Sequence, residues 1–254
     1  MKIRLAETAE EIRVAQHLRH DVFVAERSTA HAGQNTIDVD KYDAVCAHLL
    51  VIEPHTQGAS RYALDGGSLV ATARLIGQRE AESLGGFYSA DEFELAPLLA
   101  RHPQLKFLEL GRTCILKHAR GTAVMELLWQ GIWDFVRRES YDVMIGCASF
   151  EGTDPTVHAA ALSFLSQNAK APEEWQAKTL PRRDAMPPVT LNQPKDAKRI
   201  LAGLPPLIKG YLRLGCYIGE GCVVDLAFNT VDVLVILPVK SINPRYFARF
   251  GAPA

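Results

Sequence analysis

Phe107 to Ala123 reads FLELGRTCILKHARGTA, a run that sets an acid and an arginine inside an apolar strand leading into a helix. Leu108, Leu110, Cys114, Ile115 and Leu116 predict a strand buried on both faces, where an unpaired carboxylate at Glu109 is costly. Glu109 therefore needs a partner or a task. Strict alternation puts Glu109 and Arg112 on opposite faces, but Gly111 between them marks a bulge that brings both to one face. Such a bulge frees backbone N–H groups beside a carboxylate and a guanidinium, donors suited to a developing oxyanion. The plain alternative is a structural Glu–Arg pair tying the strand to a helix.

Outward from this strand, Thr122 to Ser140 predicts a helix through Val124, Leu127, Leu128 and Ile132, and Val143 to Ala148 a second buried strand, so residues 107–148 form a βαβ unit. Upstream, Lys2 to Ala6 alternates as a strand. Thr8 with Glu11 is a capping box for a helix running to about Glu26, with Arg19, Phe23 and Glu26 on one face. Residues 28–43 are polar and loop-like. Ala47 to Glu53 and Ser68 to Ile76 form an antiparallel pair, and Ser89 with Glu92 is a second capping box. Downstream, Asp154 before Pro155 caps a helix over about 155–169. Residues 171–203, with five prolines among charged residues, read as an insertion or mobile segment within a single domain spanning 1–254. Leu207, Ile208, Tyr211 and Leu212 restore helical spacing, and Val223 to Leu226 and Val231 to Val239 are strands. The order implies an α/β chain with a mixed sheet.

Composition bounds the class. The chain has 254 residues, 48% apolar and 22% charged, enough for a sizeable core. A net charge of −1 gives no global basic field, so nucleic acid is not an expected partner. Five cysteines without regular spacing read as reduced core residues of a cytoplasmic protein. No stretch approaches a membrane span, so any membrane contact is peripheral, at the inner face.

The pattern resembles the Gcn5-related N-acyltransferase superfamily, and within it the ornithine–acyl carrier protein N-acyltransferases, relatives of the acyl-homoserine-lactone synthases. The residues carrying the resemblance are Arg19, Val22-Phe23, Glu26, Asp38, Asp40, Tyr42-Asp43, His48, Ala71-Thr72 and Arg74-Leu75. They continue through Gly85-Gly86-Phe87-Tyr88-Ser89, Glu92-Phe93, Glu109-Leu110-Gly111-Arg112, Gly146-Cys147-Ala148-Ser149-Phe150 with Gly152, Leu204-Pro205-Pro206-Leu207 with Gly210-Tyr211, Phe228-Asn229-Thr230 and Asp232. The resemblance implies a mainly antiparallel mixed sheet with a central, splayed parallel strand pair and flanking helices, the pantetheine arm of a thioester lying where the strands part. It also implies transfer of a (3-hydroxy) fatty acyl group from acyl carrier protein to the α-amine of ornithine, giving lyso-ornithine lipid. His118-Ala119-Arg120-Gly121-Thr122-Ala123 keeps only two positions of the superfamily's phosphate loop. That favours a carrier protein with one phosphodiester over coenzyme A. A lactone synthase, another long-chain amine acyltransferase and an inactive acyl- or membrane-binding member are the competing readings.

On this resemblance Glu109 and Arg112 are the catalytic candidates, Glu109 assisting loss of the acceptor's ammonium proton. Arg19, Phe23 and Arg74 are candidates for the acceptor, the arginines through its carboxylate, although structural pairing serves them as well. Asp38, Asp40 and Asp43 offer carboxylates to a second ammonium. They also suit a turn, or a metal site, for which no histidine shares the spacing, so no metal or bound cofactor is expected. Ser149 is placed to bond the pantetheine or protonate the departing thiolate, or simply to cap a turn, and Asp232 heads the last long strand toward the acceptor. Lys117, Arg120, Gly121, Arg137 and Arg138 are the candidates for the acidic carrier, with Lys195, Lys198 and Arg199 a second basic patch; a solvated face is the plain alternative. Leu204 to Leu214 suits either core or a membrane surface.

Overall fold

The computed structural model describes residues 1–26, 37–54, 60–187 and 197–246. Along the chain come β1 (Lys2–Leu5), α1 (Ala9–His20), β2 (Ala47–Glu53), β3 (Ala63–Leu64), β4 (Gly67–Gly77), α2 (Gln78–Glu82), α3 (Leu95–Arg101), β5 (Phe107–Ile115) and α4 (Thr122–Glu139). β6 (Val143–Glu151), α5 (Ala159–Asn168), α6 (Ala197–Gly203), α7 (Pro206–Leu214), β7 (Tyr217–Ile218), β8 (Val223–Asp225) and β9 (Thr230–Pro238) follow. The fold is mixed α/β and mainly antiparallel, with β5 and β6 as the parallel pair among the described strands. Two compact units divide the chain, one of residues 1–86 and 109–140, the other of residues 87–108 and 141–253.

In the first unit the strand order is β1-β2-β4-β5, with Ile3 opposite Val51 and His48 opposite Arg74. Consecutive residues of a strand face opposite ways, so β2 serves two helices. Leu50 and Ile52 pack with Val14, Ala15, Leu18 and Val22 of the first helix and with Leu69, Cys114 and Leu116. Leu49 and Ile3 instead meet α4 at Gly131, where an added Cβ would fall 2.5 Å from Ile3 Cδ1. Thr8 accepts a hydrogen bond from the Glu11 amide as its spacing requires. The reciprocal half of that box is replaced: the Glu11 carboxylate takes the Glu7 amide and pairs with Arg4. The helix continues to Ala25 through one widened π turn, Asp21–Ala25.

In the second unit β9 is central, paired to β6 with Ser149 opposite Asp232, to β7, and to β8 with Val223 opposite Asp232. β5 begins here, beside the start of β6, where Asp142 N donates to Lys106 O at 2.9 Å. The strand from Val143 runs on to Glu151, three residues past its expected end, and Asp154 caps a 3₁₀ turn, Pro155–His158, before α5. Leu204, Ile208 and Tyr211 are buried, so the apolar stripe of α7 is core. Residues 177–185 are bonded into this unit: Leu180 N donates to Glu92 O, Glu94 N to Lys178 O, and Thr179 N to Glu220 O, at 2.7 to 2.9 Å. Residues 28–36 of the polar loop and Lys195 of the second basic patch lie outside the described residues.

Two local expectations are corrected. Ser89 and Glu92 form no capping box: Tyr88–Asp91 is a 3₁₀ turn without a side-chain cap, because the Glu92 carboxyl is taken by partners distant in sequence. The backbone irregularity in β5 falls on Arg112, at φ 48°, and Gly111 needs no left-handed conformation. A non-glycine residue held there is strained, and ion pairs hold it.

Candidate active site

Three arginines and three aspartates that the sequence scatters over almost a hundred residues meet in the first unit. Arg19, the penultimate residue of α1, is 1% exposed and forks onto Asp43, Nη1 to Oδ1 at 2.8 Å and Nη2 to Oδ2 at 2.9 Å. Its Nε donates to Asp38 Oδ2 at 2.8 Å. Arg74 on β4 donates through Nη1 to Asp40 Oδ1 at 2.6 Å and to Asp43 Oδ1 at 3.1 Å. Arg112 donates through Nε to Asp38 Oδ2 at 3.0 Å and through Nη2 to Asp40 Oδ2 at 3.2 Å. The chain supplies this geometry locally as well, since Asp40 caps the 3₁₀ turn Lys41–Ala44 and Asp43 returns a bond to the Asp40 amide. Burial alone would raise the Asp43 pKa, but the hydrogen bonds and charge of Arg19, with Asp40 N–H and Arg74, hold it well below the usual carboxylate range. With each aspartate matched by arginine, the cluster as drawn is neutral.

Glu109 lies buried in β5, and its charge reaches the Cys46 thiol, which burial, with smaller help from Asp43, Asp40 and Glu109, pushes up to about 12 against the pull of Arg74. His48, beside Asp43, donates from Nε2–H to the Asp43 carbonyl at 3.0 Å, and burial lowers its pKa. Neutral His48 suits a neighbourhood already holding Arg19 and Arg74. Phe23 packs against the apolar core beneath the first helix.

The donor candidates separate. Lys117 and Arg120 are exposed at the start of α4, where Arg120 donates to Ile115 O and pairs with Glu26. Gly121 caps the helix without a side-chain bond. Arg137 and Arg138 lie at the other end of this 18-residue helix, roughly 27 Å away at 1.5 Å per residue. The two pairs do not form one patch.

In the second unit Ser149 and Asp232 face each other across β6 and β9, and a residue that sequence reasoning missed joins them. Glu92 is buried. Its Oε2 accepts from the Cys147 thiol at 3.3 Å and its Oε1 from Arg183 Nη2 at 3.1 Å. Burial, then the neighbouring Asp232, push its pKa up to about 7, against the smaller pull of Arg183. In sequence Glu92 shows only a capping role with Ser89 and a place in the family resemblance beside Phe93.

An acid and an arginine set in a buried strand of a mixed sheet, ahead of a helix with an open N-terminus, define a Gcn5-related N-acyltransferase, and a family model described as an acetyltransferase (GNAT) domain matches residues 18–130. The chain belongs to the L-ornithine N(alpha)-acyltransferase family. It is 45% identical over 261 residues to the protein of that name from Rhizobium meliloti (strain 1021), covering 100% of this chain and 85% of the relative. Identity to the same-named protein of Agrobacterium fabrum is 46%, covering 100% and 86%. Among solved structures, an N-acyl amino acid synthase from uncultured soil microbes shares the fold at a TM-score of 0.50 and 10% identity, over 94% of this chain and 91% of that one. The chain is thus an N-acyltransferase.

Proposed function

We propose that the chain transfers a (3-hydroxy) fatty acyl group from acyl carrier protein to the α-amine of ornithine, giving lyso-ornithine lipid. The observation that carries this reading is its similarity, along its whole length, to relatives named L-ornithine N(alpha)-acyltransferase. The acceptor's α-ammonium must lose a proton before it attacks, and buried Glu109 takes that proton, directly or through one water. The amine nitrogen then bonds the thioester carbon while the carbonyl electrons move to oxygen. As this adduct collapses its nitrogen gives up a second proton and the C–S bond breaks, and the carrier's departing thiolate takes up that proton. Arg112, less buried than Arg19 and Arg74, receives the acceptor carboxylate, while those two hold the cluster in shape. The exposed Lys117, Arg120 and Gly121 at the open start of α4 suit a single phosphodiester. A peripheral bilayer contact would release an amphiphilic product; no described helix is long and apolar enough to cross a membrane.

The test is direct. Purified protein is incubated with acyl carrier protein charged with a 3-hydroxyacyl chain, and separately with the matching coenzyme A ester, against a panel of amino acids. Ornithine should be acylated fastest and from the carrier. Preference for another amino acid, or for the coenzyme A ester, would contradict the acceptor or the donor respectively.

A further inference from the structure

The loop before α4 is rich in bases, yet acids from elsewhere in the first unit already balance it. The first turn of α4 holds no acid, and Gly121 gives its amides no side-chain cap, so the positive end of an 18-residue helix faces this loop. Arg120 is tied through Nε to Ile115 O at 3.2 Å, and its Nη2 donates to the Glu26 carboxylate. Glu26 is set there by its own backbone, since its amide closes the π turn on Asp21 O at 2.9 Å. Glu53 at the end of β2 meets His118 Nε2 at 3.4 Å, and Arg61, close by across Tyr62, is paired with Asp21 at 2.9 Å. The fixed charges of Lys117 and Arg120 are thus matched by Glu26 and Glu53. Attraction for an anion is left to the helix amides, which suits one phosphate and no more.

We propose that Glu26 is a donor-selectivity residue: its carboxylate, held against Arg120 at the open end of α4, tolerates the single phosphodiester of a carrier protein and disfavours the further phosphates of coenzyme A. The inference rests on the donor reading proposed above. Coenzyme A brings a pyrophosphate and a 3′-phosphate, about three more negative charges at neutral pH than one phosphodiester. Those charges meet no spare cation in the loop, and they face a carboxylate. Like charges set against each other reject a wrong partner even where the matched pair adds little affinity. A purely structural tether is a poor account of the pair, because its side chains are 47% and 29% exposed and such surface pairs contribute little to stability.

The experiment compares three small donors carrying the same 3-hydroxyacyl chain, the thioesters of pantetheine, 4′-phosphopantetheine and coenzyme A, so that docking of a whole carrier does not enter. In Glu26→Gln of the full-length protein the KM for the coenzyme A ester should fall about fivefold at an ionic strength of about 0.01 M, and by about twofold or less at about 0.15 M. The phosphopantetheine ester should improve less than the coenzyme A ester, and the uncharged pantetheine ester not at all. Glutamine still accepts a hydrogen bond from Arg120, so kcat and melting temperature should stay near wild type. Glu26→Asp, which restores the charge, should restore the wild-type order of the three donors. Equal KM changes for all three, or a coenzyme A KM unmoved at low salt, overturn the selectivity role alone. Wild-type protein that uses the coenzyme A ester faster than the acylated carrier protein overturns the donor reading and the role of Glu26 with it.

Discussion

Glu109 and Asp43 are both buried acids, and different work is proposed for each. Asp43 is forked by Arg19 and touched by Arg74, so it holds structure. Asp43→Asn takes from buried Arg19 the carboxylate that forks it, leaving Asp38 as its counterion, and should cost about 3 kcal/mol of stability by denaturant unfolding, with Asp40→Asn, at a half-open position, costing less. Glu109→Gln keeps shape and hydrogen bonding and should leave the melting temperature nearly unchanged while lowering turnover about 100-fold or more. A near-normal rate at neutral pH would make Glu109 structural. Glu92 adds a pH signature. Its pKa is raised in the folded protein, from 4.5 to about 7, so its contribution is complete below pH 4.5 and is lost as pH rises through about 7. The loss is on the order of 3 kcal/mol at most and should vanish in Glu92→Gln, read as the difference between the two proteins' unfolding curves from acid to neutral pH. His48, lowered by burial, acts oppositely, costing stability as pH falls below 6.5, and is common to both proteins.

Elements were legible where local chemistry decides them and obscure where distant partners do. Thr8 as a helix cap, Asp154 before Pro155, and the apolar spacing of α4 and α7 are complete within a few residues, and all stand in the structure. Ser89-x-x-Glu92 has the same local form and fails, because Cys147 and Arg183 claim the Glu92 carboxyl. Gly111 is the permissive residue of β5, yet the left-handed turn falls on Arg112, since Asp38 and Asp40 hold its guanidinium. For the same reason the arginines and aspartates were legible as a set of polar residues in apolar surroundings but not as mutual partners. The segment 177–185 is likewise held from a distance, by a close approach at Gly221. With φ 93° and an added Cβ 2.5 Å from Thr179 Oγ1, Gly221→Ala should destabilise the protein by about 1–3 kcal/mol. A melting temperature unchanged by that substitution would mean the segment yields freely.

At the scale of the whole molecule the proposed reaction joins an acidic carrier protein to a small dibasic amino acid. The two basic ends of α4 lie roughly 27 Å apart, several times the Debye length of about 8 Å at physiological salt, so a carrier docked at one end is screened from the other. With docking proposed at Gly121, charge reversal at Lys117 and Arg120 should slow the carrier-bound donor at low salt, while reversal at Arg137 and Arg138 should do little. An acyl-pantetheine fragment should be indifferent to both, and equal losses with the two donors would remove electrostatic docking from the account. What the molecule finally does is decided by which nitrogen of ornithine carries the acyl group. The product formed from carrier-bound donor should carry the amide at the α-nitrogen, with its side-chain amine still titratable, as fragmentation mass spectrometry and amine labelling will read. Acylation of the side-chain amine, or no transfer to ornithine at all, would contradict the account.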